Sequence, residues 1–309
     1  MKSTLFIIPL FFTLHVFAQK AESKVNNNNP FIVILGTLQD GGSPHIGCEK
    51  DCCKKTDPNK KVVSLGLIDP ASEKKFIIEA TPDITTQLKI LNEYAGNSNP
   101  TDGILLSHAH IGHYSGLMYL GKEANNAKSI PVYAMPKMKG FLENNGPWSQ
   151  LINLKNIQLM EMFDKKEFSL SNQIKFIPYQ VPHRDEFSET IGFKIIGQNK
   201  SALFIPDIDK WEKWNIDIIE MIKNVDFAFI DGTFWDPAEL NNRSMAEIPH
   251  PLIKESMIKF TNMPALEKDK IWFIHLNHTN PVLMPNSKEY KELISKGFHV
   301  ATIKQIFPL

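Results

Sequence analysis

The stretch ILLSHAHIGH, residues 104–113, places three of the chain's ten histidines within six residues, directly after an apolar run. His108 and His110 lie two residues apart, so their rings point to the same side of an extended backbone. His113 begins the next predicted helix and can turn back towards the same point. Neutral imidazole is the commonest nitrogen ligand for zinc and also suits iron and manganese. The stretch therefore predicts a metal site; the alternative is a polar loop with incidental histidines.

Further groups that can bind a metal or move a proton follow other apolar runs. Four of them come directly after short predicted strands: His183, Asp207, Asp231 and His275. In α/β folds the ends of neighbouring strands converge on one rim, so residues far apart in sequence can meet there. The pattern predicts one site built from several segments.

Strand and helix patterns alternate throughout the chain. The predicted strands cover residues 31–35, 75–79, 104–106, 132–134, 174–179, 191–196, 202–205, 227–230 and 271–274. The predicted helices cover residues 84–94, 114–123, 136–143, 211–223, 251–260 and 287–296. The last helix has a start signal at Asn286 with Glu289, and a stop at Gly297. We expect one α/β domain over residues 31–309.

The motifs carry a family resemblance. His-x-His-x-Gly-His after a strand resembles the His-x-His-x-Asp-His signature of the metallo-β-lactamase superfamily. VPH at residues 181–183, LFIPD at 203–207 and WFIH at 272–275 follow in the family's order. More narrowly, residues 35–48, DGTFW at 231–235 and HLNHTNP at 275–281 are similar to the families of pyrroloquinoline quinone biosynthesis protein B and phosphoribosyl cyclic phosphate phosphodiesterase. The resemblance covers the mature chain and implies a four-layer αβ/βα sandwich with its site at the rim between two sheets.

The resemblance also implies the ligands of the metal centre. One metal would be held by His108, His110 and His183, and a second by His113 and His275, with Asp207 bridging the two. Gly112 stands where hydrolases of the superfamily usually carry an aspartate that binds the second metal. Because the second site is then one anionic ligand short, we expect one firmly bound metal and a second that is weak or absent. Zinc is favoured, and iron or manganese stays open.

The chain's three cysteines lie within six residues. Cys48, Cys52 and Cys53, with one histidine, would complete a tetrahedral zinc site. The cyclic phosphodiesterase family is similar here, because it binds structural zinc through a nearby cysteine triplet and a histidine that corresponds to His278. The spacing differs, C-x3-C-C instead of C-x-C-x2-C. The alternative is a disulfide with one odd thiol.

Four more residues are candidates for the site. His250, at the distance from Asp231 where relatives place a catalytic histidine, could protonate a leaving group or bind an oxyanion; the alternative is a surface histidine. Asp231 could orient a ligand imidazole or simply cap a turn. Asp40 and His45 lie in a glycine-containing loop that could line the pocket, although its glycines may only serve the turn.

The N-terminus predicts an export signal over residues 1–18. Lys2 supplies the positive end, residues 5–12 form a short apolar run, and VFA at 16–18 fits a peptidase site. The run is too short for a comfortable membrane span, so we expect no stable insertion after cleavage; an uncleaved anchor is the alternative. Residues 19–30 form a polar spacer. The sequence thus predicts a periplasmic or secreted protein.

Composition and charge narrow the class of protein. The 309 residues carry 34 basic and 34 acidic side chains, and this zero net charge argues against a broad grip on nucleic acid or anionic lipid. We expect a small-molecule substrate, and the oligomeric state stays open. The motifs favour a hydrolase that uses metal-activated water and Asp207 as catalytic groups. Phosphodiesters or cyclic esters are preferred on the resemblance, with lactones, β-lactams and thioesters also compatible.

Two other functions fit the sequence. The resemblance to pyrroloquinoline quinone biosynthesis protein B implies an iron-dependent oxygenase, although that family tends not to keep all of these histidines, and export fits poorly with a cytoplasmic biosynthetic step. A metal-binding module without turnover is the third possibility, because Gly112 could mark a degraded site.

Overall fold

Two seven-stranded sheets form the body of the protein. The computed structural model describes residues 28–95, 97, 99–184, 186–240 and 248–309. The predicted signal peptide (1–18) and nearly all of the polar spacer (19–30) lie outside these residues. The first sheet has the spatial order β14-β1-β2-β3-β4-β5-β6 and the second β13-β12-β11-β10-β9-β8-β7. The strands of the first sheet are β1 Phe31–Gly36, β2 Ser64–Asp69, β3 Lys74–Ile78, β4 Ile104–Leu105, β5 Ile130–Ala134, β6 Ile157–Glu161 and β14 Ile306–Pro308. Those of the second are β7 Phe168–Ser169, β8 Lys175–Gln180, β9 Ile191–Ile196, β10 Ser201–Ile205, β11 Phe227–Asp231, β12 Ile271–Ile274 and β13 His299–Val300.

Each sheet is half antiparallel and half parallel. Strands β14 to β3 pair antiparallel and β3 to β6 parallel. In the second sheet β10 to β13 pair parallel and β7 to β10 antiparallel. The parallel halves need crossover connections, and these carry helices. The helices are α1 Asp51–Lys54, α2 Ile84–Asn92, α3 Ile111–Tyr114, α4 Pro136–Asn144, α5 Trp148–Asn153, α6 Ile218–Lys223, α7 Ile253–Lys259, α8 Ala265–Lys268 and α9 Lys288–Ser295.

Alternate residues of the central strands pack into different cores, because side chains alternate across a strand. In β1, Ile32 and Ile34 belong to a core shared with residues of the second sheet such as Phe204. Val33 and Leu35 belong to another core, shared with helix α2. A third core lies between the second sheet and helices α6, α7 and α9. These layers, helix–sheet–sheet–helix, are the predicted αβ/βα sandwich.

Several predicted elements have different bounds. The expected helix over 114–123 is α3 followed by a 3-10 segment, Ser115–Leu120. This segment packs closely on the first sheet: a Cβ on Gly116 would lie 2.0 Å from the carbonyl oxygen of Thr81. The helix expected over 211–223 is divided into a 3-10 turn, Trp211–Lys213, and α6, whose start is capped by Asp217.

The ends of helix α9 can be compared with the start and stop signals predicted from the sequence. Its N-cap is Ser287, whose hydroxyl accepts from the backbone N–H of Tyr290, so the predicted start at Asn286 is wrong by one residue. Gly297 follows the helix with a φ of +86°, as predicted for a stop. Strands β2, β6, β7, β13 and β14 are absent from the sequence prediction. Among the described helices, none has the length and apolar character to cross a membrane.

Candidate metal centre

The predicted site residues meet at one edge of the sandwich, between the two sheets. His108 follows β4 of the first sheet, and Asp207 follows β10 of the second. Asp231 is the last residue of β11, and His275 comes directly after β12 with a left-handed φ of +61°. The carboxyl ends of these parallel strands therefore bring their side chains together, as the sequence predicts.

The first group of possible ligands contains three imidazoles and one carboxylate. One donor atom from each of His108, His110, His183 and Asp207 lies within 4.8 Å of the others. The Nε2 of His108 is 2.8 Å from Nδ1 of His110 and 3.4 Å from Oδ2 of Asp207. The Nε2 of His183 is 3.2 Å from Oδ1 of the same carboxylate. These are the residues predicted to hold the first metal.

The second group shares Asp207 and contains a carboxylate that the motif does not include. One donor atom from each of Asp40, His113, Asp207 and His275 lies within 4.8 Å of the others. The Nε2 of His113 is 2.9 Å from Oδ1 of Asp40 and 3.8 Å from Oδ2 of Asp207. The Nε2 of His275 is 3.5 and 3.7 Å from the same two oxygens. The expectation that this group is one carboxylate short is wrong for its geometry, because Asp40 extends into the cluster instead of only lining the pocket.

The donor atoms fit a metal better than they fit one another. Oδ1 of Asp40 and the Nε2 atoms of His113 and His275 are buried, and they have no hydrogen-bond partner among the described residues. Buried polar atoms are normally paired, because leaving one unpaired costs about 1–3 kcal/mol. Ligand atoms about 2.1 Å from a tetrahedral zinc lie about 3.4 Å apart, which is close to the distances found here. The donor set therefore suits one or two divalent metals.

The charge states of the imidazoles agree with this reading. Burial, with His113 nearby, holds the pKa of His108 well below its usual value, so its ring is neutral and able to bind a metal. Burial also lowers the pKa values of His110 and His183. Burial lowers the pKa of His113 too, but the carboxylates of Glu79 and Asp40 outweigh it and raise that pKa well above the usual value. The second group therefore attracts positive charge, either a proton or a metal.

Three side chains contact the Nδ1 atoms of the candidate ligand imidazoles. The sequence analysis did not assign these three residues to the site. The hydroxyl of Ser107 is 2.8 Å from Nδ1 of His108, and that of Thr233 is 2.8 Å from Nδ1 of His275. A carboxylate oxygen of the fully buried Glu79 is 3.4 Å from Nδ1 of His113. Such contacts fix the ring orientation and tautomer of metal ligands. Their sequence signal is only a position at or next to a strand end.

His250 lies inside the cluster and is not a surface residue. Its Nδ1 is 2.9 Å from Oδ2 of Asp231 and 3.1 Å from Oδ1 of Asp207. Burial alone lowers the pKa of this ring, but Asp231 and Asp207 outweigh it and raise the pKa of His250 to about 10. Asp231 also accepts from the backbone N–H of Ile208 and from Thr233, so it both shapes the turn and orients the imidazole.

The cysteine residues form a second cluster next to the first. One donor atom each from Cys48, Cys52, Cys53 and His278 lies within 4.8 Å of the others, and all three thiols are free. The predicted four-ligand set is therefore brought together, and the structure contains no disulfide among these three cysteines. His45 was expected to line the pocket; its ring instead stacks on that of His278, with centroids 4.5 Å apart, and its backbone N–H donates to Sγ of Cys53.

Known proteins share this fold over most of the chain. A sequence profile of the beta-lactamase superfamily domain matches residues 74–275. Coenzyme PQQ synthesis protein B of Ruegeria pomeroyi is 23% identical over 304 residues, covering 87% of this chain and 97% of the relative. The crystal structure of zinc-bound PqqB from Methylobacterium extorquens superposes with a TM-score of 0.76 at 20% identity, covering 90% of this chain and all of that one. A diphosphatase of the PhnP family has a TM-score of 0.66 at 21% identity, covering 91% and 97% of the two chains.

Proposed function

The chain belongs to the beta-lactamase superfamily, and from this premise we propose that it is a metal-dependent hydrolase of an ester-type bond, with a phosphodiester or cyclic ester as substrate. The observation that carries the proposal is the convergence of His108, His110, His183 and Asp207 at the edge between the sheets, beside a protonatable His250. The superfamily has a hydrolase-type fold, and the PhnP-family diphosphatase among the structural neighbours supports hydrolysis at a phosphate group.

The first group of ligands provides the hydrolytic centre. His108, His110, His183 and Asp207 would hold a divalent metal, which would lower the pKa of a bound water towards neutrality and so supply hydroxide. Asp207 orients the reacting water, since its Oδ1 faces the imidazoles of both His183 and His250. His108 and His113 are fully buried, while His110 retains some exposure and faces the rim, so substrate reaches the centre from its side.

His250 delivers the proton to the leaving group. With a pKa of about 10, the imidazolium is the dominant form at neutral pH. Its Nδ1 is held by Asp231, and its Nε2 has no hydrogen-bond partner among the described residues, which leaves this atom for the substrate. Asp231 is a positioning residue in this scheme, because it acts through the imidazole and not on the substrate.

A cation at the rim supports an anionic substrate. Nη2 of Arg184 is 3.4 Å from Nε2 of His110, and Nη1 is 3.6 Å from a carboxylate oxygen of Glu186. The guanidinium is more than half exposed, so it can turn towards a ligand. Guanidinium groups bind phosphate oxygens in paired hydrogen bonds. Arg184 therefore favours a phosphodiester over a neutral ester.

Zinc is the proposed metal at both clusters. Three imidazoles and a carboxylate suit zinc, iron or manganese, whereas three thiols and an imidazole select zinc. The neighbouring PqqB structure is of a zinc-bound protein, which supports the same ion here. The cysteine cluster has a closed set of four ligands, as structural zinc sites do.

An oxidative function is the second candidate. Its support is the name of the relatives at 23% identity, coenzyme PQQ synthesis protein B. An oxidative site would need iron at the His108 group and would consume oxygen in the presence of substrate. Iron content combined with substrate-dependent oxygen uptake would favour this function, and zinc with ester hydrolysis would favour the hydrolase.

The test is a hydrolase screen on purified protein of known metal content. The panel includes cyclic and linear phosphodiesters, lactones, β-lactams and thioesters. The His108→Ala/His110→Ala variant should lose both the metal and the activity, because two of the four ligands are gone. His299→Ala is the matched control: His299 contacts Asp269, outside the cluster, and its loss should leave the activity unchanged. Equal activity in the double variant and the wild type would refute the proposal.

We also propose that the protein is exported after cleavage near Ala18, with a small molecule and not nucleic acid as its substrate. The support is the sequence of residues 1–18 and the neutral net charge. N-terminal sequencing of the protein from culture medium or a periplasmic extract should begin at Gln19. Full-length protein found only in the cytosol would contradict export.

A further inference from the structure

Gly112 and Asp40 compete for one space. A Cβ built on Gly112 would lie 2.4 Å from Oδ1, 2.6 Å from Cα and 2.8 Å from Cγ of Asp40. The backbone of Gly112 is not in the left-handed region, so its conformation does not require glycine. Glycine is also unfavourable within a helix such as α3. The role of Gly112 is therefore to leave room for both the backbone and the side chain of Asp40.

The carboxylate in that space lies within ion-pair distance of two imidazoles, and neither contact has the alignment of a hydrogen bond. Oδ1 of Asp40 is 2.9 Å from Nε2 of His113 and 3.5 Å from Nε2 of His275, yet all three atoms lack a hydrogen-bond partner among the described residues. A simple ion pair would place a ring N–H in line with the oxygen. Lone pairs that converge without such a bond are the arrangement expected around a cation.

Backbone contacts fix Asp40 in this position. The N–H of Leu276 donates to the carbonyl of Thr37 over 2.8 Å, and the N–H of Gln39 donates to the carbonyl of Leu276 over 2.9 Å. The loop that carries Asp40 is therefore joined to the segment that carries His275. The carboxylate and the imidazole are held together before any metal binds.

We propose that Asp40 is a ligand of a second metal ion, together with His113, His275 and the shared Asp207, and that it replaces the aspartate missing at position 112. The carboxylate has moved from the histidine motif to the loop after β1, so the glycine in the motif marks a relocated ligand and not a degraded site. This inference rests on the proposed metal centre, although it does not depend on the reaction catalysed there.

The test is the number of zinc ions per chain and their affinities, measured by elemental analysis and calorimetric titration. Asp40→Asn keeps the shape of the side chain but removes its charge, and it should bind one ion fewer than the wild type. Its affinity for that ion should fall by more than about 100-fold, beyond the ~10–100-fold effect of an outer contact. Asp269→Asn, at an exposed aspartate outside the cluster, is the matched control and should keep every ion.

A second variant, His275→Gln, removes another ligand of the same ion and should lose that ion too, and it keeps the test valid if Asp40→Asn fails to fold. Unchanged zinc content in Asp40→Asn, or in His275→Gln where Asp40→Asn does not fold, would overturn the inference. A single ion at His108, His110 and His183 with full hydrolysis would overturn it while leaving the proposed function intact. Two ions at the histidine cluster, one of them lost in Asp40→Asn, without hydrolysis would support the inference and contradict the proposed function.

Discussion

Two clusters of metal-binding side chains draw on the same pair of segments but differ in chemistry. The segment after β1 gives Asp40 to the histidine cluster and Cys48, Cys52 and Cys53 to the cysteine cluster. The segment after β12 gives His275 to the first and His278 to the second. The histidine cluster has nitrogen and oxygen donors and a proton carrier beside it. The cysteine cluster offers only four donors, three of them sulfur.

Because their donor atoms differ, the two clusters suit different functions. The histidine cluster has donor atoms without hydrogen-bond partners beside a charged imidazole, which suits a catalytic site where water and substrate exchange. The cysteine cluster has four ligands, three of them sulfur, which suits a permanently bound structural zinc. A zinc ion at the cysteine cluster would join the loop of Asp40 to the segment of His275 and so hold the histidine cluster in shape. We propose that the histidine cluster performs the chemistry and that the cysteine cluster stabilises the segments that carry it.

The largest expected difference between substitutions in the two clusters is in the free energy of unfolding. Cys52→Ser/Cys53→Ser should lose one zinc and more than about 4 kcal/mol of unfolding free energy, since losing a structural metal is among the most damaging changes. The melting temperature should then fall by about 10 °C, measured by circular dichroism or calorimetry. The His108→Ala/His110→Ala variant also loses a metal that stabilises the folded chain, and it should melt between the wild type and the cysteine variant. Equal melting temperatures for the cysteine variant and the wild type would remove the structural role.

His250→Gln tests the proton carrier of the histidine cluster. We expect kcat to fall about 100-fold on esters with poor leaving groups, because general acid catalysis contributes on that order. A nitrophenyl ester, whose leaving group needs no proton, should lose only a few-fold. Zinc content and melting temperature serve as controls and should not change. A loss of equal size on both kinds of ester would show that His250 is not the proton donor.

Thr233 should affect the histidine cluster through His275. Thr233→Val removes the hydroxyl that contacts Nδ1 of His275 and donates to Asp231, and it should weaken zinc binding about 10-fold. Thr233→Ser keeps the hydroxyl and should restore the affinity, measured by competition with a chelator. If the serine variant binds zinc as weakly as the valine variant, the hydroxyl is not what orients the imidazole.

The smallest expected effect is at the rim. Arg184→Gln should raise KM for an anionic phosphodiester about fivefold, since an exposed charge contributes at most about 1 kcal/mol. The kcat should stay the same, and a neutral ester should be unaffected. Steady-state kinetics on the two substrates, with Arg184→Lys as the charge-conserving control, decide the point. A similar rise in KM for the neutral ester would contradict charge recognition.

The sequence predicted most of the strands and most of the histidine cluster because both depend on local signals, and the family resemblance implied the sandwich. Apolar runs define the strands, and ligands such as His108 and His275 directly follow them. The cysteine cluster was predicted for a similar reason, since three of its members are close together in the chain. His250 and Asp231 were each left with an alternative, and only the folded chain shows the contact by which Asp231 orients the imidazole of His250.

The parts that were not predicted depend on long-range pairing. From the sequence, Gly112 indicated a missing ligand. The carboxylate beside it is that of Asp40, which comes from the loop after β1 and is positioned through backbone hydrogen bonds to Leu276. Glu79 and Thr233 contact the Nδ1 atoms of His113 and His275. A single sequence does not distinguish such residues from other residues at strand ends. Short strands such as β7 and β13 have two residues each and form only where a neighbouring strand is already present.

The central claim is that imidazoles from separate strands meet around metal ions at the edge of the sandwich. A crystal structure of the zinc-loaded protein, with anomalous diffraction recorded at the zinc edge, tests it most directly. We predict anomalous peaks between His108, His110, His183 and Asp207, and among Cys48, Cys52, Cys53 and His278. Protein that never retains a transition metal, or rings that lie apart with no peak between them, would contradict the claim.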